Sequence, residues 1–194
     1  MIQRFGDFKE EPVNSEEYLE LGFSPSSMPL KHRWRNNGLS ADFLGDYLTN
    51  FFPTSETDEP NNIDKQAEIK CAVSYIANEL LENAMKFNDE TSQCYITIKV
   101  LLHKEHIILY LTNSVSPQNV SIFQAYLQEL THFDPQELYI KQLEHNAQDE
   151  NGMTSRLGIL TMINDYMVKL GWKFETIRPK QEVTVVTTMV QFSV

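Results

Sequence analysis

Glu79, Asn83 and Lys86 set a carboxylate, a carboxamide and an amine into the run Asn78-Glu79-Leu80-Leu81-Glu82-Asn83-Ala84-Met85-Lys86-Phe87. At intervals of four and then three residues, the three side chains point the same way if the run is helical. Such a stripe is equipment for magnesium and phosphate chemistry, since magnesium takes few protein oxygens and leaves room for phosphate oxygens. The same intervals also describe the solvated face of an ordinary amphipathic helix. Against that reading stands the Asn in mid-helix, where it is a poor helix former.

The helix that must carry the stripe is well marked. Ile69, Val73, Ile76, Leu80, Ala84 and Phe87 step by threes and fours and predict one continuous apolar face. Asp64 is the expected N-cap, and Asn88-Asp89 the expected stop. Glu79, Asn83 and Lys86 then border the buried face rather than lie in it.

Composition narrows the setting. With 194 residues and 41% hydrophobic content, the chain can bury a sizeable core, and one main domain is the expectation. A net charge of −11, from 27 acidic against 16 basic residues, opposes wrapping of nucleic acid or an anionic membrane. Protein or small-ligand partners are expected instead. The start MIQRFGDFKEEP has no apolar leader region and no run is long enough to span a bilayer, so a cytoplasmic location is expected. Cys71 and Cys94 are expected to be reduced packing residues. His103 and His106 flank the Lys104-Glu105 turn, which reads as a hairpin tip and not a zinc site.

Residues 1–37 read as an N-terminal extension or edge segment, with Tyr18 to Phe23 as an edge strand or a docking segment and a basic knot at Lys31 to Arg35. Ser40 is the expected cap of a helix from Ala41 to Phe52 that buries Phe43, Leu44, Tyr47, Leu48 and Phe51. After the motif helix, the alternation from Cys94 to Leu102 predicts a half-buried strand, and Ile107 to Leu111 returns antiparallel. Two helices follow between 117 and about 147, the second opening at Pro135. A helix from Arg156 to Leu170, ended by Gly171, leads into strands from Trp172 to Ile177 and Val183 to Phe192. This order predicts an α+β, two-layer fold with helices on one face of a mixed, mostly antiparallel sheet.

The string Glu79, Asn83, Ala84, Lys86, Phe87 resembles the N-box of the GHKL, or Bergerat-fold, ATPases, E-x-x-x-N-A-x-K followed by an aromatic or His. That superfamily includes gyrase, histidine-kinase catalytic domains and anti-sigma-factor kinases. The resemblance implies ATP and magnesium as cofactors, with Asn83 as the magnesium ligand and Lys86 near a phosphate. Glu79 would orient or deprotonate the attacking hydroxyl or water. It also implies a GHKL-like domain over 38–194, with residues 114–155 in the place of the ATP lid.

Two glycine-rich boxes of that superfamily are altered here. Where D-x-G-x-G is expected, the chain reads Thr112-Asn113-Ser114-Val115-Ser116. Thr112 takes the place of the Asp that binds the adenine amino group, and Asn113 would substitute if the register shifted by one. Where G-x-G-L-G opens a helix, the chain reads Thr154-Ser155-Arg156-Leu157-Gly158-Ile159. Backbone amides at this helix start would face an anion, with Ser155 and Arg156 as further donors or with Arg156 filling the space a phosphate needs. Gly158 also fits a role in close helix packing alone.

Ser26 to Pro53, Ala72 to Asp89, Asp134 to Asn146 and Leu160 to Glu175 resemble a bacterial, particularly cyanobacterial, family of small stand-alone regulators. That family is related to anti-sigma-factor kinases and to kinases of biofilm partner switches. The resemblance implies a serine/threonine kinase in a partner-switching pathway, acting on a STAS-type or similar small protein, with homodimerisation left open. The histidine-kinase string H-E-x-x-x-P is missing around His145. The altered boxes keep a second reading open: a GHKL relic that only sequesters its partner.

Overall fold

The computed structural model describes residues 1–12, 17–24, 34–52, 60–103, 105–148, 157–178 and 183–194. In chain order these form β1 (Ile2–Gly6), β2 (Glu17–Phe23), α1 (Trp34–Thr49), α2 (Pro60–Phe87), β3 (Ile96–His103) and β4 (His106–Val115). Then come α3 (Pro117–His132), α4 (Pro135–Gln148), α5 (Leu157–Tyr166), β5 (Lys169–Arg178) and β6 (Val183–Ser193). The six strands make one sheet in the order β1-β5-β6-β4-β3-β2. The expected α+β layering stands, with every pairing among these strands antiparallel.

Strand alternation sends Ile98 and Val100, Leu109 and Leu111, Leu170 and Trp172, and Val190 to the face that the helices cover. There they meet Val73, Ile76, Leu80 and Ala84 of α2, Leu44 and Leu48 of α1 and Leu127 of α3, all buried. The periodic face of α2 is thus the centre of the core, except that Phe87 is 42% exposed. No helix among the described residues is long and apolar enough to cross a membrane.

The helix ends move from their expected places for local reasons. α1 starts at Trp34, so Ser40 lies inside it and not at its cap. Its buried stripe is Asn37, Ala41, Leu44 and Leu48, which runs back past Ser40. Phe43 and Phe51 fall on the outer side, Phe43 at 52% exposure, while Tyr47 is half-buried against the core, and the three rings touch in series. Likewise α2 begins at Pro60, which places Asp64 within it; a proline suits a first turn because its missing N–H has no helical partner there. Asn88-Asp89 does end α2, and Asp134 Oδ1 caps α4 by accepting from the amides of Gln136 and Glu137 at 2.9 and 3.1 Å. α5 stops at Tyr166, followed by Met167 in the left-handed region at φ 49°. Gly171 is therefore a strand residue, paired with Gly6 and Met189. The cysteines are free but neither is in the core, Cys71 being exposed and Cys94 half-buried.

The N-terminal residues supply both edges of the sheet, β1 beside β5 and β2 beside β3. The link between them uses the face away from the helices, where residues 7–12 form a strap over a small cluster of Leu101, Ile108, Tyr110 and Met189. Phe8 packs edge-on to Tyr110, ring centroids 6.3 Å apart, and the Tyr110 hydroxyl donates to the Lys9 carbonyl at 3.0 Å. Glu10 pairs with Arg4 and Lys173 at 2.6 and 3.0 Å, and Glu11 with Lys99 at 2.5 Å. Gly171 is what lets the strap lie flat: a methyl group there would occupy the backbone of Phe8.

Candidate functional site

A cavity of about 290 Å³ opens on the helix-covered face, with α2 and α3 as walls, the start of α5 at one end and the sheet as floor. From α2 it receives Glu79, Asn83 and Lys86, so the stripe read from spacing faces one space. Glu79 and Asn83 are half-buried and Lys86 is exposed, with its ammonium 5.5 Å from the Phe87 ring centroid. Glu82 joins the lining from α2 and is held by Asn78, whose Nδ2 donates to Glu82 Oε1 at 2.9 Å.

The end of α2 is tied to the floor by side chains rather than by packing alone. Asn88 Oδ1 accepts from the amide and the hydroxyl of Ser114 at 3.2 and 2.9 Å, and Ser92 Oγ lies 2.6 Å from Ser114 Oγ. Ser114 is wholly buried. The Ser114 hydroxyl thus ties the segment that follows α2 to β4.

One residue of register separates two candidates on β4. Thr112 faces the strap side, where its hydroxyl meets that of Thr187 at 3.0 Å, and it does not line the cavity. Asn113 faces the helix side and lines the cavity floor, 5% exposed, with Nδ2 donating to the Ser114 carbonyl at 2.9 Å. Of the two, Asn113 faces the cavity and Thr112 does not.

At the far end, Gly158 also lines the cavity. A Cβ at Gly158 would occupy the space of the Glu79 carboxylate, so this glycine makes room for Glu79 as α5 starts. Ser155 and Arg156 lie outside the described residues. Burial, reinforced by the charge of Glu82, raises the proton affinity of Glu79 above that of an ordinary carboxyl. A half-buried carboxylate of this kind is a better proton acceptor than a solvated one.

The third wall was not apparent in the sequence. α3 contributes Ile122, Phe123 and Tyr126, and its Leu127 and Leu130 are buried in the main core. The segment in the lid position is therefore built into the domain over α3. The floor adds Thr188 and Trp172, neighbours in one register row with Leu111. Their period-2 alternation with inward-facing Val190 and Leu170 was the signal that could have placed them.

Could this lining hold magnesium? Among the described residues no group of three His, Cys, Asp or Glu side chains is placed to hold a metal ion. Asn83 beside Glu79 and Glu82 does offer the one or two protein oxygens that magnesium takes when phosphates and water complete its shell. The donor set fits a metal that arrives with a nucleotide.

The architecture defines an α+β protein whose cavity lies between helices and an antiparallel sheet. No protein-family model matches the chain, and no curated protein matches it. It is similar to a chain in "The crystal structure of SiaB-SiaC complex from Pseudomonas aeruginosa", with a TM-score of 0.52 and 16% sequence identity. That likeness covers 90% of this chain and 89% of the other, and at this identity it is a likeness of fold.

Proposed function

We propose that this protein is a partner-switching regulator that binds magnesium-ATP in the cavity and phosphorylates a serine or threonine of a small STAS-type protein. The observation that carries the reading is the convergence of Glu79, Asn83 and Lys86 on one cavity, with Glu79 half-buried and raised in proton affinity. Its fold neighbour comes from a complex of two named proteins, which supports a protein partner.

In this reading the chain's residues mostly position and stabilise, as phosphoryl transfer demands. Asn83 presents its side-chain oxygen to the metal, and Lys86 offers an ammonium to the phosphate oxygens. The partner's hydroxyl oxygen forms a bond to the γ-phosphorus while the bond to the bridging oxygen breaks, its electron pair leaving with ADP. Glu79 takes the hydroxyl proton. Asn113, on the cavity floor, would accept from the adenine amino group through Oδ1, since Nδ2 donates to Ser114.

A thermal-shift titration tests the binding half. At about a hundred times Kd, magnesium-ATP should add about 2.7 kcal/mol to the stability of the wild type, and Asn83→Ala should lose that gain. Radiolabel transfer to a purified STAS partner tests the chemistry, and equal transfer by wild type and Asn83→Ala would sink the role of Asn83. A second reading, a binding module without catalysis, is favoured by Gly158 and Ser114, whose box positions serve packing against Glu79 and Asn88. No thermal shift at millimolar nucleotide would support it.

A further inference from the structure

The two halves of α3 are held in different ways. Leu127 and Leu130 are buried and anchor the second half in the main core. Asn119, Ile122 and Phe123, which line the cavity, lie in a first half that has no buried residue and whose N-cap, Ser116, gives no side-chain capping bond. Under that first half stands the edge of the sheet. The Phe123 ring packs edge-on to Phe174 of β5, with centroids 5.5 Å apart, and Phe174 packs edge-on to Phe5 of β1 at 5.6 Å. One residue along the helix, Gln124 Nε2 donates to Gln3 Oε1 of β1 at 2.6 Å. Val120 adds a partly buried contact with the core.

β1 is an edge strand of five residues, paired within the sheet to β5 alone. Segments of this kind open locally at far lower cost than the whole domain. When β1 lifts away, Phe174 loses a ring contact and Gln124 loses its acceptor, so the wall that carries Ile122 and Phe123 loses its footing. An aromatic pair of this geometry weights an equilibrium by about two- to tenfold.

We propose that Phe5 and Gln3 are positioning residues for the cavity: docking of the first strand sets the stance of α3, and through it the affinity of the cavity for nucleotide. This rests on the nucleotide-binding reading above and adds a coupling to it. Coupling between two sites is reciprocal, so a ligand seated against Phe123 and Ile122 holds β1 down by the factor that β1 contributes to its binding.

Amide hydrogen exchange on the wild type reads one direction of the coupling. At saturating magnesium-ATP the β1 amides should exchange about two- to tenfold more slowly, while those of β2, the opposite edge strand, keep their rate. Calorimetry reads the other direction. Phe5→Ala should weaken magnesium-ATP binding about two- to tenfold, and Phe5→Tyr, which keeps the ring, should bind as the wild type does. Tyr110→Phe, which loosens the opposite face of the sheet, should leave the affinity unchanged. Binding that leaves β1 exchange unaltered, or equal affinity in Phe5→Ala and the wild type, overturns the coupling and leaves the nucleotide reading intact. If Phe5→Ala does not fold, exchange on the wild type decides alone. An absence of nucleotide binding by the wild type overturns that reading and the coupling with it.

Discussion

The two faces of the sheet are built by different rules, and adjacent residues of β4 show the divide: Thr112 looks at the strap and Asn113 at the cavity. On the strap face, the Tyr110 hydroxyl, Glu10, Glu11, Lys99 and Lys173 all have partners. On the cavity face a carboxylate is half-buried beside a second one, and an indole N–H is left open. Paired groups stabilise, whereas an open donor and a desolvated charge cost stability. The sheet is thus clamped from behind, and that clamp can offset groups held ready in front.

The strap face should break hardest at one point. Gly171→Ala drives a methyl group into the backbone of Phe8 and is expected to cost about 2–3 kcal/mol, read from urea denaturation. An unchanged midpoint would mean that the strap does not press on β5. Tyr110→Phe removes the bond to Lys9 and should cost about 1 kcal/mol.

Tyr110 also adds a pH signature. Burial, with help from the charges of Glu11 and Glu10, pushes its hydroxyl up to about 12. In the unfolded chain it titrates near about 10, so between those values the folded state holds the proton more tightly. Stability is therefore full below the lower value and falls as pH rises through the window. Denaturation midpoints across that range should fall more steeply for the wild type than for Tyr110→Phe.

Substitution on the cavity face should have the opposite sign and the smallest effect, although its pH trend runs the same way as that of Tyr110. Because the folded state raises the proton affinity of Glu79, its contribution is favourable at low pH and is lost as pH rises and the buried carboxyl ionises. Glu79→Gln should then melt higher than the wild type at neutral pH, with the gain shrinking as the solution is acidified. A lower melting temperature at neutral pH would move Glu79 to the stabilising side of the comparison.

How much of this was readable beforehand depends on how local the signal is. The α2 stripe rests on intervals of three and four, and the β3–β4 hairpin on intervals of two, so both were apparent in the residues themselves. The start of α1 was not, because its buried stripe begins with the polar Asn37. Thr112 and Asn113 differ by one position, and only the pairing of Thr112 with Thr187 and of Asn113 with Val186 decides which one faces the cavity. β1 and the strap are held by residues from the far end of the chain, such as Lys173 and Gly171. No local pattern announces such partners. Trp172 and Thr188 were assigned to strands from the sequence, but the cavity above them is made by α3, whose docking no periodicity specifies.

The pairing of Ile2 with Glu175 sets the order in which the molecule can be assembled. β1 is made well before its partner strand, so it stays unpaired until β5 has been made. Until β1 docks, the outer edge of β5 has no covering strand. Contacts this distant along the chain slow folding, because a large loop must close before any bond rewards it. The docking of residues 2–12 is thus the natural last step of maturation. A truncated chain lacking residues 2–12 would leave the outer edge of β5 bare.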